Sequence, residues 1–428
     1  MTEQDIVREL ENVQRLLSGQ ETEQAKKALA RLLERHPEDD RILVTYANLA
    51  IQARQFELAV DLLGRLHRAH PRNAGIARSL SMALNNLGSQ FERQNRPGKA
   101  REQFEAALRV NPGNGLADLN LGRMKQDTGE EQSALAHFDK ALANLGPEAE
   151  ALACRGRLLL KTGQSEKALP DLTRSIELRP DDTRTLRDNA QALLRSGHEQ
   201  EALDVFARLS QQAPENIDAR LARFLSLPPV YRDADQLERS RQRYAAGLQT
   251  LKQSAEPLLS GEADLNRLSW SNFYLAYQGH DDRILQQDYG ELITKAIKGV
   301  APHLLAPPGS ASTGARKRVG LISSFFRECT VGAYFGSWVR ALAAAGNEVY
   351  VYQGGPQRDL WTEELFAAAT LSRYLQGDVL DFAEQVRADG LDVAIFPELG
   401  MDGRVFTLAA TRLAAVQCAG WGHPTTTG

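Results

Sequence analysis

Small and large apolar positions recur along the first half of the chain at one spacing. Ala100, Ala134, Ala168 and Ala202 stand 34 residues apart; Gly88, Gly122, Gly156 and Ala190 lie twelve residues before them, and Phe104, Phe138, Leu172 and Phe206 four residues after. This pattern predicts a pair of antiparallel helices per repeat, with small residues where the two helices touch and the large residue plugging the next repeat. Ala25 and Ala59 carry the pattern toward the N-terminus, with Pro37 and Pro71 closing those repeats. From Ala59 to Ala100 the step is 41, seven more than the period. Seven residues are about two helical turns, so a lengthened helix or loop is expected around Ile76 to Met82. Pro112, Pro180 and Pro214, and Gly146-Pro147, stop helices between the later repeats. The count is six repeats.

A 34-residue period is the mark of tetratricopeptide repeats, which stack into an all-α superhelical solenoid. The inner face of such an array holds an extended polypeptide. The position two before each marking glycine faces that groove: Thr45, Asn86, Asn120, Cys154 and Asp188. Asn86, Asn120 and Asp188 are the candidate peptide-binding residues, since a carboxamide offers both donor and acceptor to successive backbone amides.

The chain divides by texture into 1–216, the repeat array; 217–305, a helical adaptor without the period; 306–317, a linker; and 318–428, an α/β lobe. In the adaptor, Trp270, Phe273, Tyr274 and Tyr277 have helical spacing and predict an aromatic core stripe at the seam between the array and the rest of the chain. The linker combines Pro, Gly, Ser and Ala with no apolar period. In the lobe, apolar runs at 318–323, 348–352, 372–375, 392–396 and 415–419 alternate with helical stretches at 331–345, 360–370, 379–389 and 403–412. That alternation predicts a Rossmann-like parallel sheet with helices on its faces. Ligands of such sheets sit beyond the carboxyl ends of the strands, so the loops to watch are 324–330, 353–358, 397–402 and 420–428.

Composition narrows the partners. The 428 residues carry 51 basic and 55 acidic side chains, net -4, which supplies no bulk field for nucleic acid or a membrane surface. No apolar run reaches the roughly 20 residues that span a bilayer. Cys154, Cys329 and Cys418 are scattered and odd in number, which points to a reducing cytoplasmic setting. After the first strand the chain reads Val-Gly-Leu-Ile-Ser-Ser, neither a phosphate loop nor a dinucleotide fingerprint. His67 and His70 are three apart but have no third metal ligand nearby, so no metal site is expected. Glu398 follows the fourth strand and His423 precedes a proline in the last loop; both are candidate catalytic groups.

Four stretches carry a resemblance: 318–327 (RVGLISSFFR), 349–352 (VYVY), 387–393 (RADGLDV) and above all 412–428 (RLAAVQCAGWGHPTTTG). Following tetratricopeptide repeats in this order, they resemble the glycosyltransferases that join such repeats to two Rossmann-like lobes, the protein O-linked N-acetylglucosamine transferase and SPINDLY family. The resemblance implies the first lobe of a GT-B-type catalytic domain. It also implies transfer of a sugar, UDP-N-acetylglucosamine or a UDP-hexose being the expected donor, to a protein Ser, Thr or Asn side chain held partly by the repeats. No cofactor besides that donor is implied; its diphosphate needs positive charge or free amides, for which Arg327, Arg358, Thr425, Thr426 and Gly428 are the candidates. Family members commonly carry His-Pro-x-x-His after the first strand; here Cys329 and Ala333 stand at the two histidine positions. The family's second lobe, which supplies most of the nucleotide site and a lysine for the leaving diphosphate, lies outside residues 1–428. The expectation is therefore that this chain alone does not turn over substrate. The rival expectation is a non-catalytic repeat scaffold for protein partners.

Overall fold

The computed structural model describes residues 3–309, 314, 316–375 and 377–423. They form two compact units, Met1–Thr185 and Leu186–Gly428. The first holds five helix pairs joined by short turns: α1 (Glu3–Ser18) with α2 (Thr22–Arg35), α3 (Asp40–Gln52) with α4 (Phe56–Ala69), α5 (Ala74–Arg93) with α6 (Pro97–Val110), α7 (Gly115–Asp127) with α8 (Glu131–Leu145), and α9 (Ala149–Lys161) with α10 (Ser165–Leu178). Two further helices, α11 (Thr183–Arg195) and α12 (Glu199–Gln212), follow, with the boundary between the units inside α11. The fold is thus a tetratricopeptide-type helical solenoid followed by a small parallel sheet.

Local chemistry accounts for the helix starts. Two residues beyond Pro37, Pro71, Pro112 and Pro214 stand Asp39, Asn73, Asn114 and Asn216, each accepting a backbone N–H in the first turn of the next helix. Asp182, two beyond Pro180, does the same for Arg184 and Thr185. Proline stops one helix and the Asx side chain caps the next.

The periodic glycines mark close helix contact. A Cβ on Gly122 would lie 2.5 Å from the Phe138 ring, and one on Gly88 would lie 2.6 Å from Phe104. The large residue therefore fills the space over the glycine of its own pair, in addition to meeting the next one: Phe104 also clusters with Leu121. The seven extra residues lie within a helix, since α5 has 20 residues where α7 has 13.

The second unit continues with α13 (Ile217–Leu225), α14 (Ala234–Gln253) and α15 (Arg283–Val300), then β1 (Arg318–Ser323), α16 (Thr330–Ala344), β2 (Glu348–Gln353), α17 (Leu360–Ala367), β3 (Leu371–Tyr374), α18 (Val379–Ala388), β4 (Val393–Phe396), α19 (Gly403–Ala409) and β5 (Val416–Ala419). All strands are parallel, in the order β3-β2-β1-β4-β5. Alternate strand residues feed two cores. Val319, Leu321, Val349 and Val351 pack with Phe335 and Val339 of α16. Ile322, Tyr352 and Phe396 pack with α18, α19 and the helices α13 to α15, so the adaptor and one sheet face share a single core. Of the linker at 306–317, residues 310–313 and 315 lie outside the described residues. Among the described residues no helix is long and apolar enough to cross a membrane.

The aromatic stripe expected in the adaptor is corrected. Phe273–Tyr277 is a 3-10 turn, so side chains superpose every three residues and do not line one α-helical face. Leu275 is buried in the core and the half-buried Trp270 and Tyr274 pack against it, as expected of core residues, while Phe273 is half-buried and Tyr277 is exposed.

Candidate functional site at the strand ends

The order of strands reverses between β1 and β4, and the crevice beyond the carboxyl ends of such a pair is where parallel sheets bind ligands. Glu398 sits there, two residues past β4, with 0% of its surface exposed. Its Oε1 accepts the Ser323 hydroxyl at 2.9 Å and the Ser324 N–H at 3.2 Å. Its Oε2 is buried without a partner. Burial pushes the carboxyl up to about 8; the bonds from Ser323 and Ser324 oppose this, and the nearby Asp402 carboxylate adds to it. Asp402 accepts the Ser324 hydroxyl at 2.7 Å and caps α19 through the Arg404 N–H at 2.8 Å. Arg404 in turn donates to the Gly354 carbonyl at 2.9 Å. One network thereby ties together the loops after β1, β2 and β4.

The loop after β5 is held tightly over the same place. Gly420 N–H donates to Phe396 and Gly422 N–H to Pro397, at 2.7 and 2.8 Å. A Cβ on Gly422 would come 2.7 Å from the Pro397 carbonyl and 3.0 Å from Cβ of Glu398, so no larger residue lets the chain approach this closely. His423 is next, 3% exposed. Neither ring nitrogen has a partner of good hydrogen-bond geometry. Phe273 stacks on the imidazole at 5.1 Å and 24°, and Tyr277 meets it edge-on at 6.2 Å. Burial pushes the imidazole pKa below its ordinary value, partly offset by the Leu399 backbone. Burial thus favours the uncharged form of both the carboxyl and the imidazole.

The segment that covers His423 is fastened to the lobe. Ser271 Oγ donates to the Gly400 carbonyl, and Thr407 Oγ1 donates to Leu268 at 3.1 Å. Ser323, Ser324, Asp402, Arg404, Phe273 and Tyr277 all surround Glu398 and His423; the sequence marks Phe273 and Tyr277 only as an aromatic run and gives none of the six a place beside these two groups. The Ser-Ser pair closing β1 is the available signal, because hydroxyls at a strand end can bond a neighbouring carboxyl.

Of the other candidates, Arg327 is half-buried, its guanidinium 5.8 Å from the Phe325 ring centre. Arg358 lies 3.6 Å from the Tyr374 ring centre. Cys329 starts α16, with Sγ donating to the Phe325 carbonyl at 3.3 Å, and Ala333 is exposed in the first turn of that helix. Thr425, Thr426 and Gly428 lie outside the described residues. His70 pairs with Asp40 at 2.6 Å. A cavity of about 690 Å³ opens between α15 and β5, lined by Lys295, Lys298, Phe396, Phe406 and Gln417; Glu398 and His423 do not line it.

In the first unit, Asn120 Nδ2 donates to Asn85 Oδ1 at 2.9 Å, one repeat away and next to the half-buried Asn86. Successive repeats are therefore stitched by carboxamides. In the second unit, Asp188 is buried, with Arg187 at 3.9 Å. Asn120→Ala is expected to cost about 1 kcal/mol, a fall of roughly 2–4 °C in melting temperature for a unit of this size. Thermal unfolding followed by circular dichroism checks it; an unchanged transition would mean that the stitch carries no stability.

Comparison with known proteins agrees with the helical part. The tetratricopeptide repeat family profile matches residues 16–82, and that of the bacterial transcriptional activator domain matches residues 81–225. A search of curated proteins finds no match. Among solved structures, the chain is similar to a mutant O-GlcNAc transferase of Thermobaculum terrenum, with 20% identity, TM-score 0.44, 71% of this chain and 50% of that one covered. The chain thus spans about half the length of that transferase. It is also similar to residues 41 to the end of MamA from Desulfovibrio magneticus RS-1, at 20% identity and TM-score 0.33 over 41% of this chain and 97% of that one. A third likeness is to YrrB, a repeat protein with an unusual peptide-binding site, at 20% identity and TM-score 0.30 over 52% and 90%. Helix-pair arrays of this kind are protein-interaction scaffolds. The chain thus carries a tetratricopeptide-type helical array followed by a five-stranded parallel sheet.

Proposed function

We propose that the repeats hold an acceptor polypeptide and that the strand-end face of the lobe forms one wall of a nucleotide-sugar site, in a protein glycosyltransferase related to the O-GlcNAc transferase and SPINDLY family. The observation that carries this reading is the pair of buried titratable groups in the strand-end loops, Glu398 and His423, with unpartnered polar atoms on both. In the reaction, an acceptor side-chain oxygen or nitrogen bonds to the anomeric carbon as the bond from that carbon to the nucleotide diphosphate breaks. The acceptor proton passes to a base, for which a neutral imidazole is suited and a protonated carboxyl is not. His423 takes the base role, and Glu398, through Ser323 and Ser324, ties the loop after β4 to the loop after β1. The donor is UDP-N-acetylglucosamine or a UDP-hexose, with Arg327 and Arg358 toward its phosphates.

The cover of Phe273 and Tyr277 favours a second reading. Here the lobe is closed and non-catalytic, and the chain acts only as a scaffold for protein partners. The absence of imidazole at Cys329 and Ala333 points the same way. Equilibrium dialysis of the purified chain against labelled UDP-N-acetylglucosamine separates the two. Saturable binding that weakens in Glu398→Ala is expected; no binding at millimolar donor, with the protein folded, leaves only the scaffold.

A further inference from the structure

The cavity of about 690 Å³ between α15 and β5 is of the size that encloses a small organic ligand, and neither Glu398 nor His423 lines it. One wall is a single face of α15, where Gly290, Thr294, Lys295 and Lys298 recur at helical steps. The other is β5, the open edge of the sheet, which pairs with β4 alone. Cys418 and Ala419 are exposed on that edge. Between the walls the bottom is apolar, formed by Phe396, Leu399, Phe406 and the half-buried Ala409 and Ala410. A Cβ on Gly290 would meet nothing within 4 Å, so the helix leaves this space open.

Charge on the α15 side of this cavity is unbalanced. Lys252, Lys295 and Lys298 stand there against Asp288 and Glu291, and both carboxylates bond the same lysine, Lys252, at 2.6 and 2.7 Å. The other Glu291 oxygen accepts from Gln287 at 3.2 Å. Glu291 is therefore fully engaged and does not neutralise its neighbours on the rim. Lys295 Nζ donates to the Lys252 carbonyl at 2.8 Å, which leaves its charge in place. Neither Lys295 nor Lys298 has a carboxylate partner among the described residues, and both are exposed. Two accessible ammonium groups thus border an apolar hollow, where water finds few hydrogen-bond partners.

We infer that this cavity is a second ligand site, separate from the strand ends, for an amphipathic organic anion. The hydrocarbon body lies in the hollow between α15, α19 and β5, and the carboxylate meets Lys295 and Lys298 at the rim. Charge selects the sign of the head group, and the apolar bottom selects the body. A nucleotide sugar fits poorly, because its hydroxyls and phosphates would face Phe396, Phe406 and the alanines without hydrogen-bond partners. An alkyl cation matches the hollow equally well and is turned away by the lysines alone, which makes it the informative control.

The test titrates the whole chain by calorimetry with decanoate and with decyltrimethylammonium, both below their micelle thresholds. Decanoate is expected to bind at one site, and the cation about tenfold more weakly or not at all. Lys298→Glu is expected to weaken decanoate by about tenfold, and added salt to weaken it in the wild type. Gly290→Leu, which puts a side chain into the open space, is expected to abolish decanoate binding without lowering the melting temperature. Bound decanoate is also expected to slow alkylation of Cys418 by iodoacetamide, read by peptide mass spectrometry, while Cys329 reacts as before. That protection locates the ligand in the unsubstituted protein and decides the matter if Gly290→Leu folds poorly. Equal affinity for the two amphiphiles overturns the inference, as does decanoate binding that survives in folded Gly290→Leu or leaves Cys418 unprotected. Displacement of decanoate by UMP makes the cavity a nucleotide site and overturns it too. So does the absence of decanoate binding to the folded chain at millimolar concentration.

Discussion

Replacing Glu398 with Gln is expected to flatten the pH dependence of stability in the sheet-bearing unit, with the largest gain near pH 8. The wild-type carboxyl is held protonated up to about 8 in the folded protein, against an ordinary value of 4.5. Between these two values the unfolded chain releases a proton that the folded protein keeps. Stability therefore falls as pH rises from about 4.5 to about 8, and changes no further above that. The full shift corresponds to roughly 4–5 kcal/mol at pH 8, an order-of-magnitude figure for a buried group. Glutamine matches the carboxyl in shape, and its Oε1 still accepts from Ser323 and Ser324. Its amide nitrogen replaces the unpartnered Oε2 and leaves donors unsatisfied, which costs about 1–3 kcal/mol at every pH. At pH 5 the variant is thus expected to melt slightly below the wild type, and at pH 8 above it, with a relative change on the order of 10 °C across the range. His423, whose depressed pKa lowers stability on the acid side, is common to both proteins and drops out of the difference. Melting curves that stay parallel from pH 5 to pH 8 would show that Glu398 is ionised in the fold.

Gly403→Ala is expected to destabilise the same unit by about 3 kcal/mol, roughly 6–12 °C in melting temperature. Gly403 opens α19, where alanine is ordinarily better than glycine by about 0.5–1 kcal/mol. Here an added Cβ would overlap the Ser269 carbonyl, with the Trp270 carbonyl 2.8 Å away. Both obstacles are backbone, in the segment that Thr407 and Ser271 fasten to the lobe, so neither can swing aside. The segment has to move, and with it the Phe273 and Tyr277 cover of His423. Gly290, in α15 with open space around it, is the control: alanine there is expected to stabilise by about 0.5–1 kcal/mol. Equal effects at the two positions in urea unfolding would mean that the close approach at Gly403 is absent.

Much of this architecture is legible because spacing alone encodes it. The 34-residue recurrence of alanine, glycine and phenylalanine reflects one contact made again in each helix pair, so it survives without any neighbouring context. The strands of the lobe are equally visible, since a buried parallel strand must be apolar on both faces: the run at 318–323 coincides with β1. The 273–277 turn departs from the expected helix because aromatic residues at offsets of one, three and four fit either an α-helix or a 3-10 turn, and only packing decides between them. The site is visible in outline. Glu398 and His423 come after strands, and strand ends are where such sheets work. Their burial, the serine and aspartate network and the aromatic cover come from residues more than 70 positions apart, such as Ser323 with Glu398, and no local pattern joins them. The same holds for Asn120, whose partner Asn85 is 35 residues away.

The most direct measurement is hydrogen–deuterium exchange of the intact chain with and without saturating UDP-N-acetylglucosamine. Slower exchange concentrated in 323–326, 397–402 and 420–423 is the expected result, and it would place the donor at the strand ends beside Glu398 and His423. Protection confined to 287–298 and 417–419, around the cavity beside α15, or no protection in the lobe at all, would contradict the assignment of that site.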